Sequence, residues 1–228
     1  MEEVKKIAVA IDGPAAAGKS TVAKLVADTL GITYIDTGAM YRAFTWYCLE
    51  KGVDCELEAD CNALIPEVHI ELKPNHVVLC NGIDVSAAIR EPRVSSKVSF
   101  IASYKDIRLA LVEQQREMAE KTSVCMDGRD IGTYVLPNAD VKIYQIASVE
   151  TRAVRRYDEN IQKGIQCTYE EIENDVRSRD YIDSHRAFAP LKPAADSVLL
   201  DTSYLTIEES VEIVLKVIER KTGVKANG

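Results

Sequence analysis

The sequence has a shortage of basic residues, of paired cysteines and of long apolar runs, and each shortage excludes classes of protein. Among 228 residues, 28 are Lys or Arg and 36 are Asp or Glu, so the formal net charge is −8. A net negative charge disfavours general adhesion to nucleic acid or to an anionic membrane. We therefore expect no nucleic-acid partner and no membrane partner, and any bound anion must be met by a local cluster of donors.

The six cysteines include no Cys-x-x-Cys pair, and several lie within apolar runs. This spacing favours buried thiols in a reducing compartment over a zinc site or a disulfide framework. The charged N-terminus leads into an apolar run, residues 7–11, that is too short for a signal sequence or a membrane span. We therefore expect a cytoplasmic protein, and our expectation for its oligomeric state is a monomer.

Short apolar runs alternate with longer segments of helical periodicity. The apolar runs are residues 7–11, 32–35, 123–126, 141–146 and 198–200, and the helical segments are residues 21–30, 39–49, 107–119, 151–161 and 207–217. This alternation predicts a parallel, doubly wound α/β sheet. The length of the chain fits a single domain, residues 1–228.

One stretch interrupts the alternation. Residues 68–72, 77–79 and 83–85 have the pattern of short antiparallel strands. We therefore expect a small antiparallel insert, approximately residues 57–93, within the parallel scheme.

Aspartate follows four of the apolar runs, at Asp12, Asp36, Asp127 and Asp201. Ligands of open α/β sheets bind at the carboxyl ends of the strands, where these residues are expected to lie. The alternative is that Asp serves there as a turn or helix-cap residue, and we expect roughly half of the four to be structural only.

The motif G-x-x-x-x-G-K-[ST] follows the first apolar run, as Gly13-Pro14-Ala15-Ala16-Ala17-Gly18-Lys19-Ser20. In such a loop the backbone N–H groups and the helix N-terminus cradle a triphosphate, the lysine neutralises its β and γ phosphates, and the hydroxyl binds Mg²⁺. We predict that these residues and Thr21 bind ATP, with Ser20 as a Mg²⁺ ligand. Asp36 and Asp127 are the candidates for a further metal ligand.

The loop alone does not distinguish a kinase from a switch GTPase or an ATPase. The guanine-reading motif N-K-x-D is absent from the sequence, which disfavours a switch GTPase. An ATP-driven machine stays open at this point.

Six of the thirteen arginines fall within 35 residues: Arg152, Arg155, Arg156, Arg177, Arg179 and Arg186. The first three are spaced so that a helix presents them on one face. Such a face on a mobile lid, approximately residues 150–166, can close over phosphates and exclude water. The alternative is a solvated face paired to Glu150 and Glu159.

Arg42 and Arg129 each follow an apolar strand run and should therefore lie at the ligand edge of the sheet. A second set of guanidinium groups opposite the phosphate loop suits an acceptor that is itself an anion, such as a nucleoside monophosphate. A phosphate acceptor is already nucleophilic, so no dedicated general base is needed.

Taken together, these segments resemble the bacterial-type cytidylate kinases, which are P-loop nucleoside monophosphate kinases. The resemblance extends from residue 11 to about residue 202. The matching segments are Ile11-Asp-Gly-Pro14, Gly18-Lys-Ser-Thr21, Asp36-Thr-Gly-Ala-Met-Tyr-Arg42, Asp127-Gly-Arg-Asp-Ile-Gly132, Arg179-Asp180 and Arg186-Ala-Phe-Ala-Pro-Leu191. Their common order and spacing make the resemblance specific.

The resemblance implies phosphorylation of CMP and dCMP by ATP with Mg²⁺, on a three-layer P-loop kinase fold with an arginine-bearing lid and an enlarged monophosphate-binding insert. It implies catalytic roles for Lys19, Arg129, Arg152, Arg155 and Arg156. It also implies that the acceptor phosphate is held by Arg42, Arg129 and Arg186, and that the ribose is contacted by Arg179 and Asp183. The residues that face cytosine would be Ser99, Arg108 and Asp130. The same substrate site would include Thr37, Tyr41 and Asp127.

The assignment of Asp130 to cytosine is chemically reasonable, because the N4 amino group of cytosine donates to a carboxylate. Uracil would place an acceptor against Asp130, which disfavours UMP by roughly 1–3 kcal/mol in a dry site. The structural alternative is an internal salt bridge from Asp130 to Arg129 or Arg108.

Two other functions stay open at this stage. The first is a kinase with a different acceptor, such as UMP, AMP, shikimate or dephospho-coenzyme A. The second is a P-loop binding or switch protein that uses no acceptor.

Overall fold

A computed structural model describes residues 6–225 of the chain, so the charged N-terminal residues 1–5 and residues 226–228 lie outside it. In chain order the elements are β1 (Ala8–Asp12), α1 (Lys19–Leu30), β2 (Thr33–Asp36), α2 (Thr37–Glu50), α3 (Glu58–Ala63), β3 (Ile70–Lys73), β4 (Val77–Cys80), β5 (Ile83–Asp84), α4 (Pro92–Ser95), α5 (Val98–Ile101), α6 (Lys105–Lys121), β6 (Val124–Gly128), β7 (Val141–Ile146), α7 (Val149–Gln162), α8 (Tyr169–His185), β8 (Val198–Asp201) and α9 (Ile207–Thr222). The described residues form two compact units, the first from residues 6–34 and 119–225 and the second from residues 35–118.

The central sheet has five strands in the order β2-β6-β1-β7-β8, and β1 pairs in parallel with both β6 and β7. Its inner strands are almost entirely buried, and β1 and β7 are rich in Val, Ile and Ala, as expected of strands covered by helices on both faces. The predicted parallel α/β sheet with flanking helices is therefore confirmed.

The register of the sheet brings several strand ends to one edge. Asp12, the last residue of β1, lies beside Gly128 of β6 and Tyr144 of β7, and Ile146 of β7 lies beside Asp201 of β8. Parallel strands present their carboxyl ends on the same edge, so the segments that follow them meet there. Several of the predicted site residues of the first unit lie in these segments, among them Lys19 and Arg129.

The core of the first unit lies between the sheet and two helices. Residues of α1 and α9 pack against β1 and β7 through Val9, Val26, Val141, Val214 and their neighbours. Burial of the apolar face of α1 fixes this helix on the sheet, and with it the loop that precedes the helix.

Helix α8, Tyr169–His185, is not among the helices predicted from the sequence. Over 17 residues it buries only Ile172, Val176 and Asp183, so its apolar periodicity is too weak to recognise. A capping box between Thr168 and Glu171 starts the helix, and α8 packs against α7.

The second unit contains α2 to α6 and the antiparallel sheet β3-β4-β5. The pairing of Ile70 with Cys80 and of Cys80 with Ile83 confirms the three antiparallel strands expected from the sequence. The compact unit itself, residues 35–118, is larger than the insert predicted at residues 57–93.

All six cysteines are free thiols, and five of them are buried. Among residues 6–225, no helix is both long enough and apolar enough to cross a membrane.

Candidate active site

The phosphate-binding motif forms a loop between β1 and α1. Strand β1 ends at Asp12, and α1 begins at Lys19 with Gly18 as its N-cap at a φ of 82°. A Cβ atom at Gly13, where φ is 153°, would overlap the carbonyl oxygen of Gln145, so only glycine fits there. The strand, loop and helix that the motif requires are present, and the N-terminus of α1 can bind an anion.

Ala16 within this loop has a φ of 58°, in the left-handed region where a Cβ atom is unfavourable. We expect Ala16→Gly to raise the free energy of unfolding by up to about 1 kcal/mol, because removing the left-handed strain outweighs the added chain entropy of glycine. Ala17→Gly is the control; Ala17 has no positive φ, so this change should lower stability. Thermal unfolding measures both variants, and equal destabilisation by the two would contradict the expectation.

Lys19 lies folded against its own loop. Its Nζ donates to the carbonyl oxygen of Pro14 at 2.7 Å, and the side chain is buried. Burial and then the charge of Arg129 lower the pKa of Lys19 from 10.5 to about 7, against the opposing charges of Asp127 and Asp12. Lys19 is therefore near its titration midpoint at neutral pH before any phosphate is bound.

Nucleotide binding should consequently take up protons. The negative charge of a triphosphate raises the pKa of Lys19, so this group gains a proton on binding at about pH 8, where it is mostly neutral in the free protein. Below about pH 6 it is already protonated, and its contribution to the uptake disappears. Calorimetric titration with ATP in two buffers of different ionisation enthalpy measures the uptake. Lys19→Met should abolish this contribution, and an unchanged uptake in that variant would contradict the expectation.

Ser20 and Asp127 bring a hydroxyl group and a carboxylate together beside the loop. The Ser20 hydroxyl donates to Asp127 Oδ2 at 2.8 Å, and the Tyr34 hydroxyl donates to Asp127 Oδ1 at 2.8 Å. Hydroxyl and carboxylate oxygens suit Mg²⁺, which keeps several water ligands, so these two residues fit the ion.

The other candidate for a metal ligand, Asp36, belongs to the second unit and accepts the Ala39 N–H as the N-cap of α2. Within residues 6–225 no group of three or more His, Cys, Asp or Glu could hold a metal.

Two arginines expected to bind the acceptor phosphate are held by carboxylates in this structure. Arg129 Nε donates to Asp183 Oδ2 at 2.7 Å, and Arg186 Nη2 donates to Asp130 Oδ1 at 3.2 Å. Burial alone would raise the pKa of Asp183, but Arg129, and also Arg186, hold it below its ordinary value. Asp130 thus forms a buried salt bridge with Arg186.

Asp12 joins β1 to the segment that carries these residues. Its two carboxylate oxygens accept the N–H groups of Ile131 and Gly132, each at 2.7 Å. Burial raises the pKa of Asp12 to about 6 despite these bonds, and the nearby charge of Asp130 also raises it while Lys19 lowers it. Of the four strand-end aspartates, Asp12 therefore has a clear structural role at the centre of the site.

Arg152, the first arginine of the α7 face, is buried against the phosphate loop. Its Nε donates to the carbonyl of Ala147 at 2.9 Å, its Nη1 donates to the carbonyl of Ala15 at 3.0 Å, and its Nη2 lies 2.6 Å from Asp180. All three of its nitrogen atoms therefore have partners, and the side chain stabilises the loop through its bond to the Ala15 carbonyl.

The other arginines of this region differ in their surroundings. Arg155 Nη2 donates to the carbonyl of Thr202, in the segment that follows β8, at 2.7 Å. Arg156 pairs with Glu159 at 3.2 Å and is partly exposed. For this residue the structure matches the alternative in which the arginines of the helix face solvent and pair with glutamates. Arg179 on α8 lies 3.8 Å from Asp175. The three arginines of α7 thus differ in exposure: Arg152 is buried, whereas Arg155 and Arg156 are partly exposed.

Five predicted substrate residues belong to the second unit: Thr37, Tyr41, Arg42, Ser99 and Arg108. Thr37, Tyr41 and Arg42 come from the first turns of α2. The guanidinium of Arg108 lies over the ring of Tyr41, 5.2 Å from its centroid, and Arg42 lies 3.9 Å from Asp36. Arg108 is fully buried, whereas Ser99 on α5 is partly exposed.

Two further residues contact the loop, and the sequence motifs did not mark either of them. Gln145 on β7 donates to the carbonyl of Ala17 at 2.6 Å, and Thr202 Oγ1 lies 3.5 Å from the same oxygen. Both are more than 100 residues from Ala17 along the chain, so only the sheet register brings them to it.

Comparison with known proteins gives a consistent family. The family model described as "Cytidylate kinase" matches residues 9–220. A cytidylate kinase of Bacillus licheniformis is 51% identical over 221 residues, which cover 95% of this chain and 98% of that protein. A cytidylate kinase of Bacillus subtilis is 48% identical over 221 residues, which cover 96% of this chain and 99% of that protein.

A solved structure supports the fold at lower identity. An uncharacterized protein from Eubacterium ventriosum is 15% identical to this chain, with a TM-score of 0.54, and the match covers 95% of this chain and 99% of that protein. At this identity the likeness concerns the fold alone.

Proposed function

The chain belongs to the cytidylate kinase family, and we propose that it transfers the γ-phosphoryl group of ATP to the phosphate of CMP and dCMP, which yields CDP and dCDP. The observation that carries the proposal at this site is the 2.8 Å hydrogen bond from the Ser20 hydroxyl to Asp127, because it holds the strand end that leads to Arg129 against the loop that carries Lys19. A donor-phosphate cation and an acceptor-phosphate cation therefore lie together, which suits a reaction between two anions.

The donor phosphates bind in the loop of residues 13–21. Backbone N–H groups and the N-terminus of α1 receive the triphosphate, and Lys19 turns from the Pro14 carbonyl to its β and γ oxygens. Ser20, with Asp127 as the preferred second group, would hold Mg²⁺, which neutralises charge on the β and γ phosphates when it is bound.

The acceptor phosphate replaces carboxylates at the arginines. Arg129 and Arg186 release Asp183 and Asp130, respectively, and bind the phosphate of CMP in bidentate fashion. The released carboxylates can then bind the substrate. Asp183 binds the ribose together with Arg179, and Asp130 binds the N4 amino group of cytosine.

The remaining assignments follow the family resemblance. Arg42 is a third ligand of the acceptor phosphate, and Arg108 and Ser99 face the base, with Thr37 and Tyr41 in the same set. Arg155 and Arg156 act on the phosphates from the lid once they leave Thr202 and Glu159. No side chain acts as a general base, because the acceptor phosphate is itself the nucleophile.

The direct test is ADP release from MgATP with CMP, dCMP, UMP, AMP, GMP, dTMP or no acceptor. Turnover led by CMP and dCMP is the expected result. Turnover led by another nucleotide would overturn the assignment of the base-binding residues but not the kinase activity. ADP release that needs no acceptor, or no ADP release with any acceptor, would overturn phosphoryl transfer to a monophosphate.

We also propose that the protein acts as a cytoplasmic monomer. Its six free thiols suit a reducing compartment, and its net charge of −8 favours solubility. Light scattering coupled to size-exclusion chromatography should give a mass near 25.2 kDa, and twice that mass would contradict the monomer.

A further inference from the structure

Side-chain donors hold three carbonyl groups of the phosphate loop. Lys19 donates to Pro14 at 2.7 Å, Arg152 donates to Ala15 at 3.0 Å, and Gln145 donates to Ala17 at 2.6 Å. A trans peptide directs its C=O and its N–H to opposite sides. A carbonyl held on one side therefore aims the N–H of the next residue to the other side.

The Ala17 carbonyl controls the last peptide before the helix. The N–H on that peptide belongs to Gly18, the N-cap of α1 and the residue that directly precedes Lys19 in the motif. Lys19 itself must leave its carbonyl to reach a bound triphosphate, whereas Gln145 can keep its bond to Ala17 throughout binding. Gln145 is thus a permanent restraint on the orientation of the Gly18 N–H.

Gln145 contacts both ends of the loop. Its backbone carbonyl occupies the space where a Cβ atom of Gly13 would lie, and its Nε2 is 3.6 Å from where a Cβ atom of Gly18 would lie. The residue is 1% exposed and sits within β7, one of the central strands of the sheet. A rigid strand therefore carries the amide that restrains the loop.

The same amide has an unfavourable feature. Its Oε1 is buried and has no hydrogen-bond partner among the described residues. A buried acceptor without a partner lowers stability, and an apolar side chain of the same shape would avoid that penalty. For the stability of β7 alone, an apolar residue would serve better than glutamine.

We propose that Gln145 is a positioning residue for the donor phosphates: its amide fixes the Ala17–Gly18 peptide so that the Gly18 N–H points at the bound nucleotide. This role rests on the proposed binding of ATP by the loop. It predicts an effect on the donor nucleotide that is separate from any effect on CMP and from any loss of stability.

Gln145→Met tests the role, because methionine keeps the length and the volume but lacks both the donor and the buried Oε1. We expect kcat/KM for MgATP at saturating CMP to fall about three- to tenfold, the range for one lost hydrogen bond. The KM for CMP at saturating MgATP should stay within about twofold. The melting temperature should change little, because the loss of the bond to the Ala17 carbonyl and the removal of the unpartnered Oε1 act in opposite directions.

Gln145→Glu is the second variant, since it retains the shape but presents an acceptor to the Ala17 carbonyl. Its loss in kcat/KM for MgATP should exceed that of Gln145→Met, because two acceptors then face each other. Gln114→Met is the matched control: Gln114 on α6 also has a buried Oε1 without a partner among the described residues, but it belongs to the second unit. Its kcat/KM for MgATP should not change.

Two results would overturn the role of Gln145. The first is a kcat/KM for MgATP within twofold of the parent in both Gln145 variants. The second is an equal loss for MgATP and CMP together with a lower melting temperature in Gln145→Met, which would indicate a purely structural residue. Calorimetric titration with MgATP alone gives the same comparison without catalysis, so a failure of CMP phosphorylation would not be mistaken for a failure of this role.

Discussion

Replacing Lys19 by methionine is expected to lower kcat for phosphorylation of CMP about 10²- to 10³-fold, the usual loss when one preorganised charge or donor at the transition state is removed. The amine is buried beside Arg129, Asp127 and Asp12, so it meets the transferring phosphoryl group in a site where charge is poorly screened. Steady-state rates of ADP release with saturating CMP measure the effect.

Lys24→Met is the matched control for this change. Lys24 lies on the same helix, α1, and is partly exposed, so its replacement should leave kcat within about twofold. Near-normal turnover in Lys19→Met would exclude the mechanism in which this lysine neutralises the β and γ phosphates. Since Lys19 is partly neutral near pH 7 in the free protein, methionine in its place should fold normally, and thermal unfolding checks this.

The second large effect is expected for Asp130→Asn. The ratio of kcat/KM for CMP to kcat/KM for UMP should fall about 5- to 150-fold, which corresponds to roughly 1–3 kcal/mol. An asparagine amide can donate to O4 of uracil, whereas the carboxylate can only accept, so the change removes the repulsion of UMP and weakens the bond to N4 of CMP.

The use of a ratio separates the two roles that the structure allows for Asp130. This residue also pairs with Arg186, so its replacement alters the arginine that would hold the acceptor phosphate. CMP and UMP carry the same phosphate, and an effect through Arg186 therefore cancels in the ratio. An unchanged ratio with altered KM for both nucleotides would assign Asp130 to Arg186 instead of the base. Asp28→Asn, which makes the same charge change at an exposed position of α1, should alter neither quantity.

The main elements of the fold could be predicted because their signals are local. The apolar run of β1 and the glycines of the phosphate loop identify a strand, a loop and a helix within about 20 residues. The antiparallel strands were also recognisable, since Asn81-Gly82 between apolar runs is a hairpin signal. Helix α8 was missed because its stability comes from packing and capping instead of an apolar stripe.

The site was less accessible to sequence reasoning, because its contacts join residues far apart in the chain. Asp12 was recognised only as a strand-end aspartate, although it holds the backbone that follows Asp130. Gln145 has no motif around it, and its bond to Ala17 spans 128 residues. Such partners depend on which strands are neighbours in the sheet and on their register, and neither is encoded in a short segment.

The sequence by itself determined the phosphate-loop motif at the end of the first strand, and it predicts that this loop binds a triphosphate and that a second group of arginines suits an anionic acceptor. These conclusions depend on residue types and short spacings, which act through local geometry and charge. Only the tertiary structure decided how the arginines differ from one another: Arg129 and Arg186 are held by carboxylates, and Arg152 is committed to the phosphate loop. The reason is that a guanidinium takes its role from the acceptors that folding places around it, and those acceptors come from distant parts of the chain.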